Sequence, residues 1–325
     1  MRSILTIDLG GTKASYAATR SSVVTVFENH VVPSSLNCFL EQIAALTAKY
    51  DFDGIAVAVP GVIVSNRTIV QTPNVPWLNN KSLADLLEER FARPSWLAND
   101  MEALALAELK YGALQEARCG LVQTISTGIG GCTCLRVGKA ELVLPGEPGH
   151  SMFSLDGPAC GCGRRGCVEA HFSGGAVRRL VSRSIGNAIL GRMDPCAHLD
   201  TAADEGAGWA LEIYKRVGIG LGIAWANALN QNSCVEKIVY AGTFAVRGMR
   251  FMRRHIGQSI SERAMFPHHR TISIEQSALW PNGAHLGGAV LFERCEASPA
   301  TDDKVRPNWH ASHGAEAGVE FIAAH

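Results

Sequence analysis

The chain has 325 residues, 47% of them hydrophobic, with thirty basic side chains balanced by thirty acidic ones. That composition supplies enough apolar surface for two domains or one large one, and no net charge to attract nucleic acid or an anionic membrane. Ten cysteines in so long a chain do not resemble a disulfide framework, no stretch approaches the roughly 18 uninterrupted apolar residues of a membrane span, and residues 1–9 read as a strand carrying Asp8 rather than a signal peptide. The expectation is a soluble, cytoplasmic protein that recognises its partners locally.

In chain order, residues 4–9 form a buried-strand run ending in a glycine turn, followed by strand-like 15–19 and 23–32, so the opening is a meander. Helical spacing of apolar residues over 38–50 leads to a second strand run, 54–59, closed by the turn Pro60-Gly61. Residues 82–91 read as a helix capped by Ser82 with Asp85 three positions on, 95–98 as a short strand, and Asn99 as the start of a helix that stops at Gly112. A second module begins at 120–126, another buried strand meeting a glycine turn, Thr127-Gly128-Ile129-Gly130-Gly131. Beyond a cysteine-rich loop come a long helix over 209–230, a strand over 237–241 followed by Gly242-Thr243, a last strand over 271–275 and a helix over 283–294. From Ala297 the pattern dissolves into a segment that reads as a flexible tail.

His150, Cys160, Cys162 and Cys167 fall within eighteen residues, and three thiolates with one imidazole make a complete tetrahedral set for zinc. Glycines thread the loop and let its backbone wrap an ion. With four protein ligands the site is closed, so the metal stabilises structure and does not activate water. Glu147 and Glu169 flank it, and folding the loop brings their carboxylates toward one place. Cys132 and Cys134 form a C-x-C pair with no further ligand nearby in sequence, and read as core strand residues.

The turn Asp8-Leu9-Gly10-Gly11-Thr12-Lys13 lets backbone N–H groups approach a phosphate, although it has neither the P-loop nor the dinucleotide spacing. A second such turn after a separate buried strand suits a nucleotide held between two lobes, with Asp8 orienting magnesium through water.

Together, DLGGTK near the start, STGIGG later and the H-x9-C-x-C-G-x-x-G-C-x-E run resemble the ROK family of sugar kinases and sugar-responsive repressors over residues 4 to about 294. The cysteine signature is highly specific, whereas the DxGGT turn is shared by actin-like and hexokinase-like ATPases. The resemblance implies an α/β, two-lobed actin/hexokinase-like ATPase fold with a zinc-binding loop in the larger lobe. Residues 1–110 would form the smaller lobe, with the helix 283–294 packing back on it, 111–282 the larger lobe with the adenine site, and 297–325 the tail. It implies ATP and magnesium as cofactors beside structural zinc, and transfer of the γ-phosphoryl group to a hexose or N-acetylhexosamine hydroxyl, O6 by preference, in a homodimer.

Carried over residue by residue, the resemblance makes Asp100 the base that accepts the sugar hydroxyl proton. Gly61, Asn74, Asn99, Asp100, Glu147, His150 and Glu169 become sugar contacts, and Asp8, Gly10, Gly11, Thr12, Lys13, Thr127, Gly128 and Gly242 nucleotide contacts. The chain departs from the family pattern at Thr243 and at Cys132, each in place of a glycine. Repressors of this kind carry a helix-turn-helix ahead of the first turn, for which the turn at Asp8 leaves no room, so no nucleic-acid partner is expected. A sugar-binding protein without catalysis is the remaining alternative.

Overall fold

The computed structural model of the protein describes residues 2–11, 13–185 and 193–297. Two expectations, Thr12 in the first turn and the tail beyond Ala297, fall outside the described residues.

Two five-stranded sheets share one strand order. The first contains β1 (Ile4–Leu9), β2 (Lys13–Arg20), β3 (Val23–Val31), β4 (Gly54–Ala58) and β7 (Ser95–Ala98), ordered β3-β2-β1-β4-β7. The second contains β8 (Cys119–Ile125), β9 (Ile129–Val137), β10 (Ala140–Gly146), β11 (Lys237–Ala241) and β12 (Ser273–Gln276), ordered β10-β9-β8-β11-β12. In each, the first three strands form an antiparallel meander and the last two join in parallel. A small hairpin, β5 (Val62–Val64) with β6 (Thr68–Gln71), stands apart.

The near-continuous apolar runs of β1 and β4 follow from burial on both faces. On one face Leu5, Ile7 and Leu9 pack with Ile55 and Val57 against Phe39 and Ile43 of α1 (Leu36–Thr47) and Leu83 and Leu87 of α2 (Leu83–Phe91). The other face is covered by α9 (Gly283–Ala297), whose Phe292 packs with Ile4 and Ala56. There His285 is sealed in, its Nδ1 3.1 Å from Thr6 Oγ1 and its Nε2 3.0 Å from Ser15 Oγ. Burial pushes its pKa down to about 4, so the neutral ring donates one hydrogen bond and accepts the other.

The second core lies between β8 and β11 and the helices α7 (Gly208–Gln231) and α8 (Thr243–Arg263), with Leu221, Trp225, Met249, Met252 and Ile256 against Leu121, Ile238 and Tyr240. Between the sheets runs α3 (Asp100–Tyr111), buried at nine consecutive residues from Met101 to Leu109. Its Met101 lies against Gly130 and Thr124 of the second sheet, and its Ala103 against Gly287 of α9. None of the described helices is long and apolar enough to cross a membrane.

Several elements differ from the sequence expectation. Ser82 precedes α2 but makes no cap hydrogen bond, because its hydroxyl pairs with Thr68 Oγ1 of the hairpin at 3.0 Å. The first helix starts earlier than expected, where the Ser35 side chain accepts from Cys38 N. The last strand starts later, after a 3₁₀ turn over Pro267–Thr271. The strand β10, the β5–β6 hairpin and the helix α8 were not anticipated.

The crossing of α3 and α9 leaves no space for a side chain: a Cβ built on Gly287 would lie 1.6 Å from the Ala103 carbonyl oxygen. Gly287→Ala is therefore expected to force the helices apart and to cost about 1–3 kcal/mol or more. Equilibrium urea unfolding measures this, and an unchanged midpoint would contradict so close a crossing.

Candidate active site

Parallel strands end side by side, and in open α/β sheets ligands bind beyond those carboxyl ends. Register puts Asp8 opposite Ala58, and Ala58 opposite Ala98, so the exits of β1, β4 and β7 form one edge. Leaving β1, the chain turns tightly, with Gly10 N donating to Lys13 O at 3.0 Å. A Cβ on Gly11 would come within 3.0 Å of the Asn74 side chain, so these two expected contacts touch. Leaving β4, the chain passes Gly61 at a φ of +133°, a conformation that favours glycine. The Asn99 amide donates to the Gly61 carbonyl at 3.0 Å, while its oxygen caps α3 by accepting from Met101 N at 2.9 Å. Asp100 Oδ1 accepts from Met101 N at 3.0 Å.

Asp8 and Asp100 are both pushed up to about 6. Burial is the main cause in each case. The Asp100 charge then raises Asp8 further while Lys13 opposes it, and the charge of Glu147 raises Asp100 against two backbone hydrogen bonds. Both residues keep some solvent contact, so the shift reflects the protein crowded around them rather than complete sealing. Asp100 thus lies within electrostatic reach of both Asp8 and Glu147, and α3 joins the two sheet edges at this point.

On the second sheet, β8 runs into the turn Ser126-Thr127-Gly128. The turn is held by the start of α5 (Gly174–Ile185), where Gly174 N donates to Ser126 O at 2.7 Å and Gly175 N to Thr127 O at 3.1 Å. Beside it β11 runs through Gly242, at a φ of +94°, into α8, and Thr243 N donates to Ser126 Oγ at 2.9 Å. A pocket of 160 Å³ opens between these helix starts and α6 (Pro195–Asp204). Its walls include Thr127, Thr243 and Phe244, and two ion pairs, Arg178–Asp194 and Arg247–Asp200. None of those four charged residues was singled out in the sequence. The glycine pair Gly174-Gly175 was a usable signal, but Asp194 and Asp200 reach the pocket from another helix. A larger cavity of 780 Å³ between β10 and α7 includes one of the expected site residues, Glu147, in its lining.

The loop after β10 folds as the cysteine spacing predicts. Glu147 and His150 belong to one 3₁₀ turn, His150 N donating to Glu147 O at 3.0 Å. The ligand atoms of His150, Cys160, Cys162 and Cys167 all lie within 4.8 Å of one another. Cys162 and Cys167 sulfurs are 3.7 Å apart, and His150 Nδ1 is 3.5 Å from Cys160 Sγ. Tetrahedral zinc with ordinary bond lengths requires about 3.8 Å and about 3.5 Å, so the residues fit the ion. With Nδ1 turned to the cluster, the other ring nitrogen of His150 faces away. Glu169, the second residue of α4 (Val168–Phe172), accepts from Ile129 N at 2.8 Å and touches Gly128, which joins the metal loop to the second turn. Cys132 and Cys134, by contrast, are buried in the strand core beside Met101 and Val122, and burial pushes the Cys134 thiol up to about 12.

Two sheets of one strand order, each offering glycine turns at its carboxyl edge, define a hexokinase-like α/β fold. The chain belongs to the ROK family, whose model matches residues 4–295. A glucokinase from Thermotoga maritima is 30% identical over 315 residues, 89% of this chain and 97% of that protein. A xylose repressor from Bacillus spizizenii is 32% identical over 185 residues, 56% of this chain and 46% of the repressor, so the match spans about half of that relative's length. The crystal structure of a ROK hexokinase from Thermus thermophilus superimposes with a TM-score of 0.71 at 26% identity, covering 90% of this chain and 99% of that one.

The loop makes a direct prediction. Cys162→Ser removes one of four ligands and is expected to abolish stoichiometric zinc, read by elemental analysis, and to lower Tm. Full retention of metal would show that these four residues do not form the site.

Proposed function

We propose that this protein is an ATP-dependent sugar kinase that transfers the γ-phosphoryl group to a hydroxyl, O6 by preference, of a hexose or N-acetylhexosamine. The observation that carries the reading is the Asp100 carboxyl at the start of α3, held near a pKa of about 6 with Asp8 and Glu147 as neighbours. A base of that strength is ionised at neutral pH and still basic enough to accept a proton as the hydroxyl oxygen attacks. The likeness to a glucokinase along nearly its whole length supports the same reading.

Each residue has a task in this scheme. Asn99, pinned to Gly61, fixes the direction in which α3 presents Asp100. Asn74, Asn99, Glu147, His150 and Glu169, with the Gly61 backbone, are hydroxyl partners by chemical type, and a buried partner left unpaired rejects the wrong sugar. The Gly10 N–H closes the first turn on the Lys13 carbonyl, so that the Gly11 N–H, with those of Thr127 and Gly128, faces the phosphates; Lys13 adds a positive charge, and Gly242 admits the adenosine side. Asp8 is the residue that would hold magnesium, through water. Magnesium-bound ATP, when present, supplies the phosphoryl group and screens the charge that develops in transfer. His150, Cys160, Cys162 and Cys167 would hold zinc in a closed four-ligand site, which would brace the loop that carries Glu147 and His150.

A second reading, a sugar-responsive regulator, is favoured by the likeness to the xylose repressor. It predicts sugar binding without turnover. An ADP-release assay over a panel of hexoses and N-acetylhexosamines separates the two, and absence of turnover with every sugar would sink the kinase reading.

Asp100→Asn is expected to lower turnover by about 10²–10⁴-fold while sparing sugar affinity. In the wild type the rate should rise with pH through about 6 as Asp100 ionises, and then level. Stability runs the other way. The folded pKa lies above the ordinary aspartate value of 3.8, so between those values the native state binds the proton better than the unfolded chain, and stability falls as pH climbs through this window. Asp100→Asn should therefore raise Tm relative to wild type at pH 7, and the gain should vanish below about pH 4. A Tm difference independent of pH would contradict the shifted carboxyl.

A further inference from the structure

The residue Ile129, in the second glycine turn, is gripped from two sides by the metal loop. Its N–H donates to Glu169 Oε2 at 2.8 Å, and Glu169 stands two residues after the ligand Cys167. Its carbonyl oxygen lies against Gly149, the residue before the ligand His150, so closely that a Cβ there would approach to 2.3 Å. The other carboxylate oxygen of Glu169 lies 3.8 Å from Sγ of Cys160, a third ligand. A Cβ on Gly128 would fall 2.5 Å from Glu169 Oε2, so the turn rests directly on this carboxylate.

We propose that Glu169 is a positioning residue that couples the four-ligand metal site to the second glycine turn. Occupancy of the site draws His150, Cys160 and Cys167 together. Gly149 and Glu169 then close on the two polar groups of Ile129, and the adjoining Thr127 and Gly128 are set for a phosphorylated ligand. Without the ion, three sulfurs and an imidazole share no partner, the jaws separate, and the turn loosens. The inference rests on the reading that this turn holds the nucleotide.

The experiment is a cycle of four titrations of magnesium and a non-hydrolysable ATP analogue by calorimetry, on wild type and Glu169→Ala, each zinc-loaded and zinc-depleted by chelation. Coupling between sites is commonly worth 5–150-fold. The analogue should bind wild type about tenfold more weakly after depletion, zinc-loaded Glu169→Ala should show a similar loss, and depleting that variant should add less than about twofold, within the same scale. Glu169→Gln, whose amide oxygen still accepts from Ile129 N–H, should recover part of the affinity. Equal-sized losses that multiply, or no loss on depletion, would overturn the coupling.

Hydrogen exchange of the Ile129 amide, in wild type with and without zinc, decides the matter independently of any variant. Faster exchange confined to the turn and the metal loop supports the clamp, whereas unchanged exchange, or loss of protection along the whole chain, overturns it. If zinc-loaded wild type binds no analogue at all, the nucleotide reading of the turn fails, while the exchange data still report on the clamp.

Discussion

Two acidic groups placed at the exits of parallel strands in one mixed sheet are the constraint around which this molecule is arranged. Asp8 leaves β1 and Asp100 follows β7, separated only by β4, and burial makes each reluctant to ionise. Such an arrangement is unfavourable to folding at neutral pH and persists only because the surroundings over-determine it. Leu5, Ile7 and Leu9 anchor β1 on one face, and His285 is locked to Thr6 and Ser15 on the other. Ser15 is the residue opposite Asp8 in the β1–β2 register. On the far side, Asn99 satisfies the first turn of α3 and holds the Gly61 bend, so one amide orients both neighbours of the carboxyl.

The second sheet repeats the strand order but uses its edge differently. Where the first edge carries the carboxyls of Asp8 and Asp100, the second carries a glycine turn flanked by the starts of α5 and α8. The turn after β8 is tied at Ser126 and Thr127 to α5 and at Ile129 to Glu169, so its shape is set by elements that come later in sequence. The cluster of His150, Cys160, Cys162 and Cys167 sits at this junction, and Glu169, two residues after Cys167, bonds the turn at Ile129.

Much of this was legible in the residues. Strong periodicity placed the helix over 209–230 within one residue at each end of the observed Gly208–Gln231, and the strand 237–241 matched. The cluster of His150, Cys160, Cys162 and Cys167 was readable because its members lie within eighteen residues, so local spacing determines the geometry. Asn99 could be read as a cap, and it is one, but only the fold reveals that its other end holds Gly61. The helix α8 escaped notice although Phe244, Ala245, Met249, Met252, Ile256 and Ile260 recur at helical spacing, because Arg247, Arg250, Arg253 and Arg254 on its exposed face make the segment polar as a whole. The ion pairs Arg178–Asp194 and Arg247–Asp200 were invisible for another reason: each joins helices whose adjacency is decided by packing, and no spacing encodes it.

The helix that covers the first sheet is the last one in the described chain. Ser15 and His285, hydrogen-bonded in the folded protein, are 270 residues apart. During synthesis at about 5–20 residues per second, the opening strands leave the ribosome tens of seconds ahead of their cover. In that interval Ile4, Thr6 and Ala56 face solvent or a chaperone, and the half of the molecule made first is the half finished last.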